Sequence, residues 1–478
     1  MREKLKKMIV GFVLLIMQLA TSAIFIYQTI RLGMIPDKLL LSVLAILSFA
    51  WIFVIVCEWR GKKLKIVGRI FCVLVSGALL FGNYYVVKTV GAIEKITEND
   101  GVKIDKVVVA VKEEDSAKSV EDLAKEKFGV QYQLKGHEIT ETVENISKEL
   151  GADIATKEYQ NLLEQISGLS KGDVRAIIFN EAYLGLLEEE FPDLALKVIY
   201  TREVETKVEK KAETQEVRTE EEPFIVYISG IDVYGSIKKT SRSDVNILAV
   251  VHPETHKVLL VTTPRDYYIA FPGITGGAKD KLTHAGIYGV QTSMDTLGAL
   301  YDIQPDFYAR VNFTSMEKIV DILGGIDVYS EYAFKPLHGK YSVSKGMNHL
   351  DGKQALAFCR ERYSLPGGDF QRGRNQQAVL SAIIQKAISP AILTGAAEIL
   401  ESVAGNVDTN MSTAQIQKLV KSQLDDPQEW EIESVDAKGK GGREVCFSMP
   451  GRTLYVTYPD DDSVREIKEM IRNVMEGK

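Results

Sequence analysis

Residues 241–266 read SRSDVNILAVVHPETHKVLLVTTPRD. Two apolar runs, 246–252 and 258–263, flank Pro253-Glu254-Thr255-His256, a turn signal that joins them as a β-hairpin. Charge gathers at the open end of that hairpin. Arg242 and Asp244 open the first strand, and Arg265 and Asp266 follow the second.

Outward from the hairpin the pattern alternates. Residues 224–229 read as a strand running into Gly230-Ile231-Asp232, and 307–311 as another. Helical periodicity covers 282–300 and 314–323, the second closed by Gly324-Gly325 as a left-handed cap. A short helix is expected over 351–358. Asp369 is placed to cap a longer helix that reaches Ser389 and stops at Pro390. This alternation predicts an α/β sandwich with a mixed sheet over 223–390. Residues 95–200 form a smaller α/β accessory unit, with strands at 107–111 and 176–179, and 201–222 a charged linker. A C-terminal extension, 391–478, contains two helical stretches and one strand.

The N-terminal part has a different texture. Residues 8–30 and 39–57 carry no charge, and 66–87 carry only Arg69 near the start. Each run is long enough to cross a hydrocarbon core of about 30 Å, so 1–90 reads as a membrane anchor with three transmembrane helices. Lysines and arginines cluster before the first run and between the second and third. The positive-inside rule puts those segments in the cytoplasm and everything after about residue 88 outside. A formal charge of −7 argues against nucleic acid as a partner. Four cysteines give neither zinc spacing nor a disulfide framework.

Familiar catalytic signatures are missing: the sequence has no HExxH, GxSxG or CxxC, and Asp280 breaks the P-loop pattern of the glycines before it. What is present is a set of arginines and aspartates at strand ends and helix starts. Asp232 ends one strand; Arg242, Asp244 and Arg265 bracket the hairpin. Arg360 and Arg362 stand two apart, and Asp369, Arg372, Arg374 and Gln376 fall in the first turns of one helix. Singly, each is an ordinary surface charge. Together they make a phosphoryl-transfer site, because arginine forks match phosphate, helix N-termini favour anions and aspartates suit Mg²⁺.

At these residues the sequence resembles the LytR-CpsA-Psr family of cell-wall glycopolymer phosphotransferases. The matching stretches are YISGID (227–232), SRSDVNILAVV (241–251), VTTPRDYY (261–268), KLTHAGIYG (281–289), GKQALAFCRERY (352–363) and GDFQRGRNQQ (368–377). Three spans and an accessory unit resemble its capsule- and LytR-type members from Gram-positive bacteria. The resemblance implies a multi-pass cell-membrane enzyme that moves a teichoic acid, capsular polysaccharide or similar glycopolymer from undecaprenyl pyrophosphate to N-acetylmuramic acid of peptidoglycan, near polysaccharide-synthesis machinery and membrane lipid. It implies Mg²⁺, with Mn²⁺ as the alternative ion, held by Asp232 and Asp244. It assigns the pyrophosphate to Arg242, Arg265, Arg360, Arg362 and Arg372, with Lys281 and Gln376, and a catalytic part to Arg242, Asp244, Arg265 and Asp369. Asn375 departs from the family pattern, where a second arginine often precedes the Gln-Gln pair, and this leaves the part of Arg374 in the pyrophosphate grip open. Two rival readings are hydrolysis of polyprenyl pyrophosphate and a non-enzymatic extracytoplasmic sensor.

Overall fold

A computed structural model describes residues 2–97, 102–132, 136–191, 193–207, 222–231, 237–337, 341–366, 368–387 and 407–478. Three helices open the chain: α1 (Arg2–Leu32), α2 (Asp37–Trp59) and α3 (Lys62–Thr97). All three are long and apolar enough to cross a membrane. Their outward faces carry exposed Phe12, Phe49, Leu74 and Phe81, as lipid-facing helices must.

The accessory unit comprises β1 (Val102–Lys112), β2 (Lys127–Val130), α4 (Gly136–Leu150), β3 (Ala155–Glu158), α5 (Leu162–Lys171), β4 (Ala176–Asn180), α6 (Leu184–Glu190) and β5 (Leu196–Lys207). Its strands lie in the order β3-β2-β4-β1-β5. The stretch expected to begin a linker at 201 continues β5 as far as Lys207. Its charges suit an edge strand, because Glu203 faces Lys106 across the ladder while Val204 turns inward. Residues 208–221 lie outside the described residues.

The larger domain contains β6 (Phe224–Ile231), β7 (Ser243–His252), β8 (Lys257–Thr262), β9 (Tyr268–Ala270), β10 (Lys279–Lys281), α7 (Leu282–Tyr288), α8 (Val290–Tyr301), β11 (Phe307–Asn312), α9 (Phe313–Ile322), β12 (Ile326–Ser330), β13 (Gly346–Leu350), α10 (Gly352–Arg360) and α11 (Asp369–Ala387). It continues through β14 (Val407–Thr409), α12 (Thr413–Asp425), β15 (Glu431–Asp436), β16 (Gly439–Val445), β17 (Thr453–Pro459) and α13 (Asp461–Met475). The central sheet runs β14-β11-β6-β7-β8-β15 and is mixed, with β15 parallel to β8. Both of its edges therefore come from beyond residue 390, and the segment read as an extension completes the sheet.

Both faces of the sheet are covered, which explains the nearly continuous apolar runs of the hairpin. Leu248, Val250, Leu259 and Val261 pack with Leu282, Leu297, Ile467 and Ile471. Ile247, Ala249, Val258 and Leu260 point the other way, toward Leu380 and Ile384 of α11. Each buried aliphatic side chain contributes roughly 1.5–3 kcal/mol.

Two contacts tie the units together. Val108, Leu162 and Leu186 of the accessory unit share one apolar cluster with Ile287, Met449 and Val456. Beside the spans, Ile416 and Val420 of α12 pack on Leu32, Met34, Val90 and Ile93. Lys421 pairs with Asp37 at 3.2 Å and Lys38 with Asp425 at 3.6 Å.

Candidate functional site

The start of β7 and the ends of β8 and β15 meet the first turns of α11 around an open cavity. Asp244, Asn246, Thr262, Arg265, Arg372 and Gln376 are among the residues that line it. Ligands commonly bind outside the carboxyl ends of strands in α/β sheets, where loops and helix starts converge.

Asp244 is the electrostatic centre. Arg265 Nη1 donates to its Oδ1 at 2.8 Å and Thr283 Oγ1 to the same oxygen at 3.2 Å. Burial alone would raise this carboxyl, but the charges of Arg265, Arg242 and Arg372 hold it well below the usual carboxylate range. Among the described residues three guanidinium groups act on this one carboxylate, an arrangement that suits a polyanion.

Under the cavity lies a polar floor. Tyr227 Oη donates to Asn246 Oδ1 at 2.7 Å and meets Ser243 Oγ at 2.8 Å, which in turn meets Ser229 Oγ at 2.7 Å. On the other side Gly373 lets α11 approach β8, since a Cβ there would stand 3.2 Å from Thr262 Cγ2. Gln377 Nε2 donates to Val435 O at 2.9 Å and fastens the helix to β15.

The remaining candidates divide. Lys281 is buried against Asp266 at 3.3 Å, so it neutralises that carboxylate beside Arg265. Gln376 lines the cavity and its Nε2 donates to Cys359 O at 3.4 Å. Arg360 ends α10, and Arg362, two residues on, lies over the ring of Tyr363 at 4.5 Å from its centroid. Arg374 turns to Glu331, which it meets at 3.0 Å, and to Gln371. Asp369 begins α11. Asp232 lies outside the described residues.

One constellation looks catalytic and is not. Ser448, His284 and Asp280 meet in the core, all buried. Ser448 Oγ and Asp280 Oδ1 both sit on His284 Nδ1, at 3.0 and 2.7 Å. A serine nucleophile needs base and orienting acid on opposite ring nitrogens. Here the group fastens the start of α7 to the segment after β16. Burial works against the Asp280 charge, but His284, the Lys281 backbone N–H and Ser448 keep its carboxyl below the ordinary range.

Sequence reasoning missed Asp436. It ends β15, lines the cavity and pairs in register with Thr262. Burial pushes its carboxyl up to about 6, with Arg374 pulling down and Glu331 pushing up.

Among the described residues no three His, Cys, Asp or Glu side chains gather as a metal cluster. A cation such as Mg²⁺ needs only one or two carboxylates when phosphates supply the other oxygens. Asp244 fits that demand: among the described residues its side-chain hydrogen bonds fall on Oδ1, and Oδ2 is the oxygen that would face an ion.

These features define an α/β protein with three membrane-spanning candidates and an arginine-lined cavity. The LytR_cpsA_psr family matches residues 196–471, more than half of the chain. The chain belongs to that family. It is 34% identical over 234 residues to the Polyisoprenyl-teichoic acid--peptidoglycan teichoic acid transferase TagU of Bacillus cereus (strain ATCC 14579), covering 48% of this chain and 75% of the relative. To the transferase of the same name from Bacillus subtilis (strain 168) it is 30% identical over 273 residues, covering 56% and 83%. The crystal structure of B. subtilis TagU is similar at 30% identity and a TM-score of 0.42, over 54% of this chain and 98% of that one.

Proposed function

We propose that the protein transfers a glycopolymer from an undecaprenyl-pyrophosphate carrier to the 6-hydroxyl of N-acetylmuramic acid in peptidoglycan, leaving a phosphodiester link and a lipid phosphate. The observation that carries this reading is the convergence of Arg265, Arg242 and Arg372 on half-buried Asp244 at the mouth of one cavity. Relatives named as teichoic acid transferases support it.

Arg265, Arg242 and Arg372 bind the diphosphate and spread its charge, which grows on the leaving lipid phosphate as the bond breaks. Asp244, with Asp232 as its expected partner, would hold Mg²⁺, which when bound supplies further charge neutralisation at the diphosphate. Asn246, fixed by Tyr227, and Gln376, tied to the end of α10, present polar groups to the substrate without adding charge. The basic loops at the helix ends support an orientation with this domain outside the cytoplasm.

The test is transfer of labelled glycopolymer from its lipid carrier by the full-length protein in vesicles with peptidoglycan. Label on peptidoglycan is the expected result. Label released only as free phosphate-ended glycan would replace transfer with hydrolysis.

A further inference from the structure

We infer that Asp436 is the group that receives the proton of the acceptor hydroxyl. This rests on the transfer reading above and adds the residue that activates the nucleophile.

Position comes first. β8 lies between β7 and β15, so the start of β7 with Asp244 and the end of β15 with Asp436 flank the end of β8 on opposite sides. Two strand spacings separate these elements, about 10 Å. The arginines act on the Asp244 side, so the donor's diphosphate is assigned there, with the Asp244 charge offset by the guanidinium groups. That leaves the Asp436 side of the same cavity for the acceptor hydroxyl.

Its environment is that of an acceptor awaiting a donor. Asp436 Oδ1 and Thr262 Oγ1 are buried with no hydrogen-bond partner among the described residues, and the two residues sit side by side across the ladder, lining the cavity. Such atoms cost free energy unless something fills the cavity. A sugar hydroxyl is a donor of the required kind. Arg374 Nη1 approaches the other oxygen, Oδ2, at 4.0 Å while its Nε holds Glu331 at 3.0 Å. Arg374 and Glu331 are the charged groups acting on Asp436, and Asp244, Arg265 and Arg372 line the same cavity.

The step balances. The acceptor oxygen forms a bond to the phosphorus that carries the glycan. The bond from that phosphorus to the bridging oxygen breaks, its electron pair leaving with the lipid phosphate. The hydroxyl proton passes to Asp436 Oδ1 and then to solvent. With a carboxyl near 6, Asp436 is mostly ionised at neutral pH yet basic enough to take part.

Transfer and donor binding are to be measured from pH 5 to 8 for full-length wild type, Asp436→Asn, Asp436→Glu, Arg374→Gln and Glu331→Gln. Asp436→Asn is expected to lose transfer about 10²–10⁴-fold, to hold the lipid-linked donor within about twofold, and to lose the acid limb of the pH profile. Asp436→Glu recovers part of the rate. Arg374→Gln moves the acid limb to higher pH and Glu331→Gln to lower pH, opposite shifts that a strut would not produce. Transfer by Asp436→Asn near the wild-type rate, or equal loss of donor binding, overturns the inference. If that variant fails to fold, an unmoved limb in both neighbours does so instead. A wild type that transfers no label to peptidoglycan sinks the transfer reading itself.

Discussion

Gly185 of the accessory unit lies so close to Arg242 that a Cβ on it would stand 2.8 Å from the guanidinium Nη2. The accessory unit thus forms part of the wall behind Arg242, one of the arginines proposed to bind the diphosphate. Gly185→Ala is expected to push that guanidinium aside rather than unfold the chain, since the tip of a long side chain moves cheaply. KM for the lipid-linked donor should rise by up to about tenfold, a share of one charge-assisted bond, while stability changes by less than about 1 kcal/mol. Donor titration and a thermal melt check both.

Arg265→Ala removes the guanidinium bonded to Asp244. Donor binding should weaken by about 1.5–3 kcal/mol, and polyprenyl phosphates that accompany the detergent-extracted protein should fall accordingly. Mass spectrometry of the extract reads the outcome, and undiminished lipid would remove Arg265 from the grip.

Asp244→Asn keeps the shape and removes one charge. The lipid should still bind through the arginines, while transfer falls about 10²-fold and recovers in part as Mg²⁺ is raised. Asp232→Asn should behave alike, and the double variant should lose little more than either, because residues serving one ion act as a unit. A Mg²⁺ series on all three is decisive; independent, multiplying losses would separate the two aspartates.

Asp436 carries a stability cost with a definite sign. Its folded carboxyl titrates near 6, above the unfolded value of about 3.9. The folded state therefore binds more protons between those limits, and stability from this group falls as pH rises through them. The cost is full above pH ~6 and vanishes below ~4. Asp436→Asn should be more stable than wild type at pH 7 by up to about 3 kcal/mol, with the gap closing by pH 4. Melts at both pH values measure it.

Topology is open to direct test. A reporter fused after residue 95 should be active only outside the cell, and one fused near Lys62 only inside. The opposite pattern would reverse the orientation.

The hairpin was legible because 246–252 and 258–263 are apolar runs joined by a turn, and each of its ends carries its own charges. The same reasoning reached Asp244, Arg265 and Arg372, since residues at strand ends and helix starts share one end of an α/β sheet. Asp436 could not be reached that way. Its strand joins β8 from more than 170 positions later, and in sequence it is one acid among many in a polar stretch. Arg374 shows the converse limit: its place in the first turns of a helix was legible, but its partner Glu331 lies after β12, outside any local pattern. Asp280, which read as a broken P-loop, is a buried anchor for His284 and Ser448.

Helix α3 runs unbroken for 36 residues, about 54 Å, and so outlasts a hydrocarbon core of about 30 Å. At its far end α12 clips to it through Ile416, Val420 and the Thr413–Thr97 hydroxyl contact at 2.5 Å. In the proposed orientation α3, with α12 packed on it, is an unbroken post among the described residues. Donor lipids, confined to the leaflet, must find the cavity by sideways diffusion in two dimensions and always meet it at one altitude. If the chain takes a lipid-linked polymer as proposed, the length of that polymer would set how far into the wall transfer reaches.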